Sequence, residues 1–132
     1  MYSNFSSKLY DVLLCHPDVK AYEVFDKDGS YLAVFYADFF PRKGKQGGAW
    51  MTEFQGQWID HKGKNIRPHV SVVMNFTKPT EEKPALLTLG EVETFLHEFG
   101  HSLHGMFAIF AAVNCRIQKN LATRAVSSKI LW

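Results

Sequence analysis

The sequence predicts an α+β domain in which a small antiparallel sheet precedes one long helix. Three observations lead there. Two β-rich runs, Ala21 to Phe25 and Ser30 to Tyr36, flank the turn-forming pair Asp28-Gly29. That is the pattern of a hairpin whose glycine takes a positive φ. The run from Val70 to Phe76 is the clearest single strand in the chain. From Thr88 onward, Val92, Leu96, Phe99, Leu103 and Met106 recur at helical spacing, giving an amphipathic helix with a core-facing stripe.

Each element follows in order. Asn4 to Leu14 reads as a short helix with Phe5, Leu9, Val12 and Leu13 on one side. It should stop at His16-Pro17, because the residue before a proline avoids the helical region. The hairpin comes next. Asp26, Asp28 and Gly29 also resemble the opening of a calcium loop, but the later ligands and the closing glutamate are missing. Pro41 to Gly48 is a basic, glycine-rich loop whose spacing matches neither a phosphate loop nor a dinucleotide fingerprint. Gln57 to Arg67 is polar and reads as another loop. Lys78-Pro79 and Lys83-Pro84 mark the connection to the helix. Thr88-Leu89-Gly90-Glu91 fits a capping box, in which threonine and glutamate satisfy each other's free backbone donors. Gly100 and Gly105 each cost a helix about 1 kcal/mol against alanine. Their presence implies that something packs close to the helix backbone.

Composition removes several function classes. A chain of 132 residues holds one modest core. No run approaches the roughly 20 apolar residues of a membrane-spanning helix, and Met1 to Lys8 lacks the apolar run of a signal peptide. A cytoplasmic setting without a membrane partner is the expectation. Cys15 and Cys115 form neither a metal spacing nor a disulfide framework. Residues 1–98 hold 11 basic and all 13 acidic residues, a balance of −2. Beyond them stand Arg116, Lys119, Arg124 and Lys129 with no carboxylate. Four cations scattered among small and apolar residues make too weak a patch for a nucleic-acid partner.

The chemistry is concentrated in His97-Glu98-Phe99-Gly100-His101. On a helix, positions i and i+4 share a face about 6 Å apart, so both imidazoles can reach one ion. Zinc accepts such nitrogens, and a catalytic site keeps one position open for water. Glu98 then serves as the catalytic base, its carboxylate aimed at that open position. His104 lies near the same face, where it can be a third ligand, a proton donor or a packing residue. Glu93, one turn before His97, either orients that ring or simply favours the helix dipole. His16, His61 and His69 sit beside proline or in polar stretches and read as ordinary.

The nine residues from His97 to Gly105 closely resemble the active-site helix of the thimet oligopeptidase family, above all its bacterial peptidyl-dipeptidase branch. The likeness continues through His16-Pro17-Asp18-Val19, Tyr31 to Phe40, Gly47-Gly48-Ala49-Trp50-Met51, and Arg67-Pro68 to Asn75-Phe76. The resemblance implies a zincin-like segment, cut from a larger and mostly helical fold. It implies one zinc ion held by His97 and His101, hydrolysis of peptide bonds in short peptides, and an intracellular setting. It also implies a strand beside the helix that pairs with extended substrate, a position that Val70 to Phe76 matches.

The chain departs from that pattern after about residue 108. The family's third ligand is a glutamate on a later helix, at a position corresponding to the neighbourhood of Val126, yet no Asp or Glu follows Glu98. Two segments are therefore expected: 1–108 as the zinc-peptidase catalytic region and 109–132 as a divergent basic tail, as a shifted reading frame would produce. The missing remainder of the catalytic domain is a candidate partner. A remnant that binds at most zinc or another protein is the competing functional class.

Overall fold

The computed structural model describes residues 7–9 and 16–108. The seven strands are β1 (Ser7–Leu9), β2 (Lys20–Phe25), β3 (Tyr31–Asp38), β4 (Trp50–Gln55), β5 (Trp58–Ile59), β6 (Asn65–Ile66) and β7 (His69–Val73), and the helix is α1 (Leu89–Phe107). Five strands make one sheet in the order β1-β2-β3-β7-β4, while β5 and β6 pair separately.

The β2–β3 hairpin forms where the Asp-Gly turn requires it. Gly29 takes a φ of 82°, which costs glycine nothing. Asp26 O receives the Gly29 amide at 2.9 Å, and Asp28 Oδ1 receives the Ser30 amide at 2.8 Å. Both aspartates near that glycine are thus spent on the turn, as ordinary turn residues.

Three expectations need correction here. The sheet is mixed, because β3 and β7 run parallel with Val34 opposite His69 and Asp38 opposite Val73. Local patterning finds strands but carries no information about the direction of a distant partner. Residues 7–9, expected within a helix, instead form β1 against β2, with Ser7 opposite Val24. Unfilled backbone donors on the β2 edge offer a partner that outweighs weak local helix preference. The polar segment from Gln57 to Arg67 is not all loop, since β5 and β6 close a tight hairpin over Asp60 and Gly63. The described residues end at Ala108, and the tail expected over 109–132 lies outside them.

The core lies between the sheet and α1. Alternation along the strands sends Ala33, Phe35 and Ala37 of β3, with Val70 and Val72 of β7, toward the helix, where they meet Met106 and the partly buried Phe95, Phe99 and Leu103. Thr88 caps α1 with the anticipated reciprocal bonds to Glu91. The core-facing stripe is rotated from the expected one. Val92 is 37% exposed and Leu96 59%, whereas Ser102, Gly105 and Met106 are buried. Apolar residues cover a wider arc of α1 than the sheet can bury, and periodicity alone does not say which edge of that arc packs.

Candidate metal and peptide site

An aromatic cluster sets the rotation of α1. Phe95 and Phe99, one turn apart, stack at 5.6 Å, and Phe99 meets Phe35 edge-on at 5.6 Å. Phe95 in turn meets Phe39 at 5.5 Å. Residues two further along a helix point about 200° away. Burying Phe95 and Phe99 therefore turns His97 and His101 outward, and both are exposed.

The two imidazoles converge. His97 Nε2 and His101 Nε2 stand 3.1 Å apart, with ring planes at 82° and centroids 4.7 Å apart. Two nitrogens bound tetrahedrally to one zinc at about 2.05 Å are separated by about 3.3 Å. The donor set and its spacing therefore fit such an ion. Glu98 is half-buried on the shoulder between the histidine face and the packed face. Ser102 Oγ donates to the Glu98 carbonyl at 3.1 Å.

The remaining predicted residues are placed less decisively. His104 is exposed in the last turn of α1, and Glu93 is exposed without a hydrogen bond to His97. Among the described residues, no group of three His, Cys, Asp or Glu side chains is arranged to hold a metal ion. His16 accepts the Asp18 amide at 3.2 Å, and His61 is exposed beside its turn. His69 faces the Tyr36 hydroxyl at 3.1 Å, and its burial holds its pKa below the ordinary imidazole value.

Both β7 and β4 lie along α1, and the two differ in the state of their ladders. Residues 70 to 73 of the run expected to pair with substrate are flanked by β3 on one side and β4 on the other, so their ladder is filled. Among the described residues β4 pairs only with β7, and its other edge is open. One close approach holds β4 along α1. A Cβ at Gly105 would stand 2.5 Å from Glu53 Oε1 and 3.3 Å from Val70 Cγ1, so glycine lets the sheet come up to the helix backbone. Among the described residues no comparable neighbour lies within 4 Å at Gly100, and they do not supply the close packing expected for that glycine. At the other end, Gly48 and Ala49 share an open groove with Glu91 and Thr94.

Arg67 fixes the far end of the helix and escaped the sequence reading. Its Nη2 donates to Met106 O at 2.8 Å and its Nε to Leu32 O at 2.7 Å. A cation at the C-terminal turn also suits the helix dipole. The only sequence signal was its place beside Pro68.

Comparison with known proteins identifies the family of this chain. Residues 13–119 match Peptidase family M3. The chain is 46% identical over 101 residues to a dipeptidyl carboxypeptidase of Salmonella typhimurium, covering 76% of this chain and 14% of that protein. It is 48% identical over 99 residues to the dipeptidyl carboxypeptidase of Escherichia coli, covering 75% and 14%. With oligopeptidase A of Escherichia coli it shares 43% over 96 residues, covering 73% and 14%. The chain thus spans about one seventh of the length of these relatives. No helix among the described residues is long and apolar enough to cross a membrane. With a match over most of its length and relatives above 40% identity that are peptidases by name, the chain belongs to peptidase family M3.

Proposed function

We propose that this chain carries the metal-binding helix and the peptide-pairing strand of a zinc peptidase acting on short peptides. The observation that carries the reading is the 3.1 Å approach of His97 Nε2 to His101 Nε2 on the exposed face of α1. These two nitrogens would hold one zinc ion. When bound, the ion would supply Lewis-acid polarisation of a scissile carbonyl and activation of water. Glu98, next to the first ligand, takes the proton from the attacking water and passes it to the leaving amine. The open edge of β4 pairs with an extended peptide through backbone hydrogen bonds, which suits substrates of varied sequence.

The same residues support a restrained view of this chain by itself. No Asp or Glu follows Glu98, so two imidazoles leave the ion mostly to solvent and hold it weakly. This favours a chain that binds zinc and hydrolyses peptides slowly or not at all. The peptidase reaction belongs to the complete domain, of which this chain spans a part. A cytoplasmic setting and supply of the third ligand by another segment of that domain complete the proposal.

Calorimetric zinc titration tests the metal assignment. Wild type should take up one zinc ion, and His97→Ala should lose at least tenfold in affinity, about 1.4 kcal/mol. Equal uptake by both proteins would remove the assignment. Chelator-sensitive peptide cleavage by the 132-residue chain, abolished by Glu98→Gln, would overturn the restrained view and keep the mechanism.

A further inference from the structure

The loop leading into β4 is held from two sides. Lys45 sits where β3 and β7 end, with a side chain only 4% exposed. Its ammonium donates to Asp38 Oδ1 at 2.9 Å and to the carbonyl oxygens of Asp38, Phe40 and Met74 at 3.0, 2.8 and 2.6 Å. Three N–H protons serve four acceptors, so one proton is shared. Arg42 grips the same Asp38 carboxylate with two bonds, at 2.6 and 2.9 Å. Asn75 acts from the other side. Its amide nitrogen donates to Gln46 O at 3.1 Å and to Gly48 O at 2.8 Å.

Those acceptors belong to a segment with little stiffness of its own. Gly44 and Gly48 both have positive φ, at 82° and 99°, and a glycine-rich loop has much conformational freedom to lose. Two residues past Gly48 begins Trp50, the first residue of β4. Gly48 and Ala49 also face Glu91 and Thr94 across the groove at the start of α1. Wherever this loop settles, the upper end of the β4 edge must follow.

We propose that Lys45 and Asn75 are positioning residues for peptide binding, clamping the 44–49 loop so that the open edge of β4 stands at a fixed height beside His97, Glu98 and His101. The proposal rests on β4 being the peptide strand. Lys45 ties the loop to the ends of β3 and β7 through a buried cation, and a neutral side chain would take a charged donor away from three carbonyls and a carboxylate. Asn75 sets the loop's last turn, since both of its acceptors lie within four residues of Trp50.

The test uses the 132-residue chain in wild-type, Asn75→Ala, Asn75→Asp and Lys45→Met forms. Amide hydrogen exchange, zinc titration and fluorescence anisotropy with a fluorescein-labelled Ala-Phe-Ala-Phe-Ala-Phe peptide are the readouts. Losing two hydrogen bonds in Asn75→Ala should speed exchange at residues 46–50 and weaken peptide binding, each about tenfold. Zinc affinity and exchange in β2 and β3 should stay as in wild type. Asn75→Asp matches asparagine in size but turns an acceptor toward two carbonyls, so it should be at least as damaging as alanine. A packing role would leave Asn75→Asp near wild type, and that result would overturn the clamp. Unchanged exchange at 46–50 in Asn75→Ala would overturn it too, even if Lys45→Met fails to fold. Faster exchange with unchanged peptide affinity would limit these residues to structure and also overturn it. Absence of peptide binding by wild type is a different failure, removing the reading of β4 itself.

Discussion

The two sides of α1 are built on opposite terms. The side facing the sheet is closed: Phe95, Phe99, Ser102, Gly105 and Met106 meet aromatic rings, a valine and a carboxylate within van der Waals reach. The side carrying His97 and His101 is open, and next to it Leu89, Leu96 and Phe107 are exposed. The contrast teaches that the fold spends its packing on aiming the histidines, not on enclosing them. Orientation comes from the far side of the helix, through the phenylalanine pair that leaves residues 97 and 101 nowhere to point but outward.

That division of labour can be broken by experiment. The largest effect should come from the packed side. Phe99→Ala removes a ring that touches both Phe35 and Phe95 and should cost about 3 kcal/mol in urea unfolding. His101→Ala should change stability by less than about 0.5 kcal/mol, as exposed positions do. Similar losses from both would show that the open face is part of the core. A smaller effect of opposite sign is expected at Gly100. Among the described residues nothing lies within 4 Å of its missing side chain, so Gly100→Ala should stabilise the chain by about 0.5–1 kcal/mol. A loss of stability there would mean that the open face is covered in solution.

The smallest effect concerns a third histidine environment. Burial lowers the pKa of His69 below 6.5 in the folded chain, so the unfolded chain takes up the proton more readily. Its contribution is intact above the unfolded value and is lost as pH falls through the folded one. Melting temperature should therefore decline below about pH 6.5, and His69→Gln should flatten that part of the curve. An identical pH dependence in the variant would assign the decline elsewhere.

What could be read from the sequence follows the range of the forces involved. The β2–β3 hairpin, the Thr88–Glu91 cap and the convergence of His97 with His101 are each settled within a few residues, so local pattern sufficed. The open edge of β4 was not legible, because it depends on β7 entering the sheet between β3 and β4. The packing edge of α1 was misjudged for a related reason. Val92 and Leu96 are as apolar as Phe95 and Phe99, and only the position of the sheet decides which pair is buried. Lys45 resembled any other cation of a basic loop, although three of its acceptors are backbone carbonyls that no residue pattern displays.

The strand order has a consequence for how the site comes into being. Along the chain β4 precedes β7, yet in the sheet it lies outside it. The hairpin of β2 and β3 closes a short loop and can form early, whereas the parallel pairing of β3 with β7 must bring together partners as distant in sequence as Val34 and His69. The pairing of β4 with β7 spans less chain, with Gln55 opposite His69, so these two strands can meet before they join β3. The turns of α1 are local, but His97 and His101 are aimed only once Phe95 and Phe99 pack on the sheet. A chain in which β7 has not yet joined β3 therefore has neither a seated helix nor a placed outer strand.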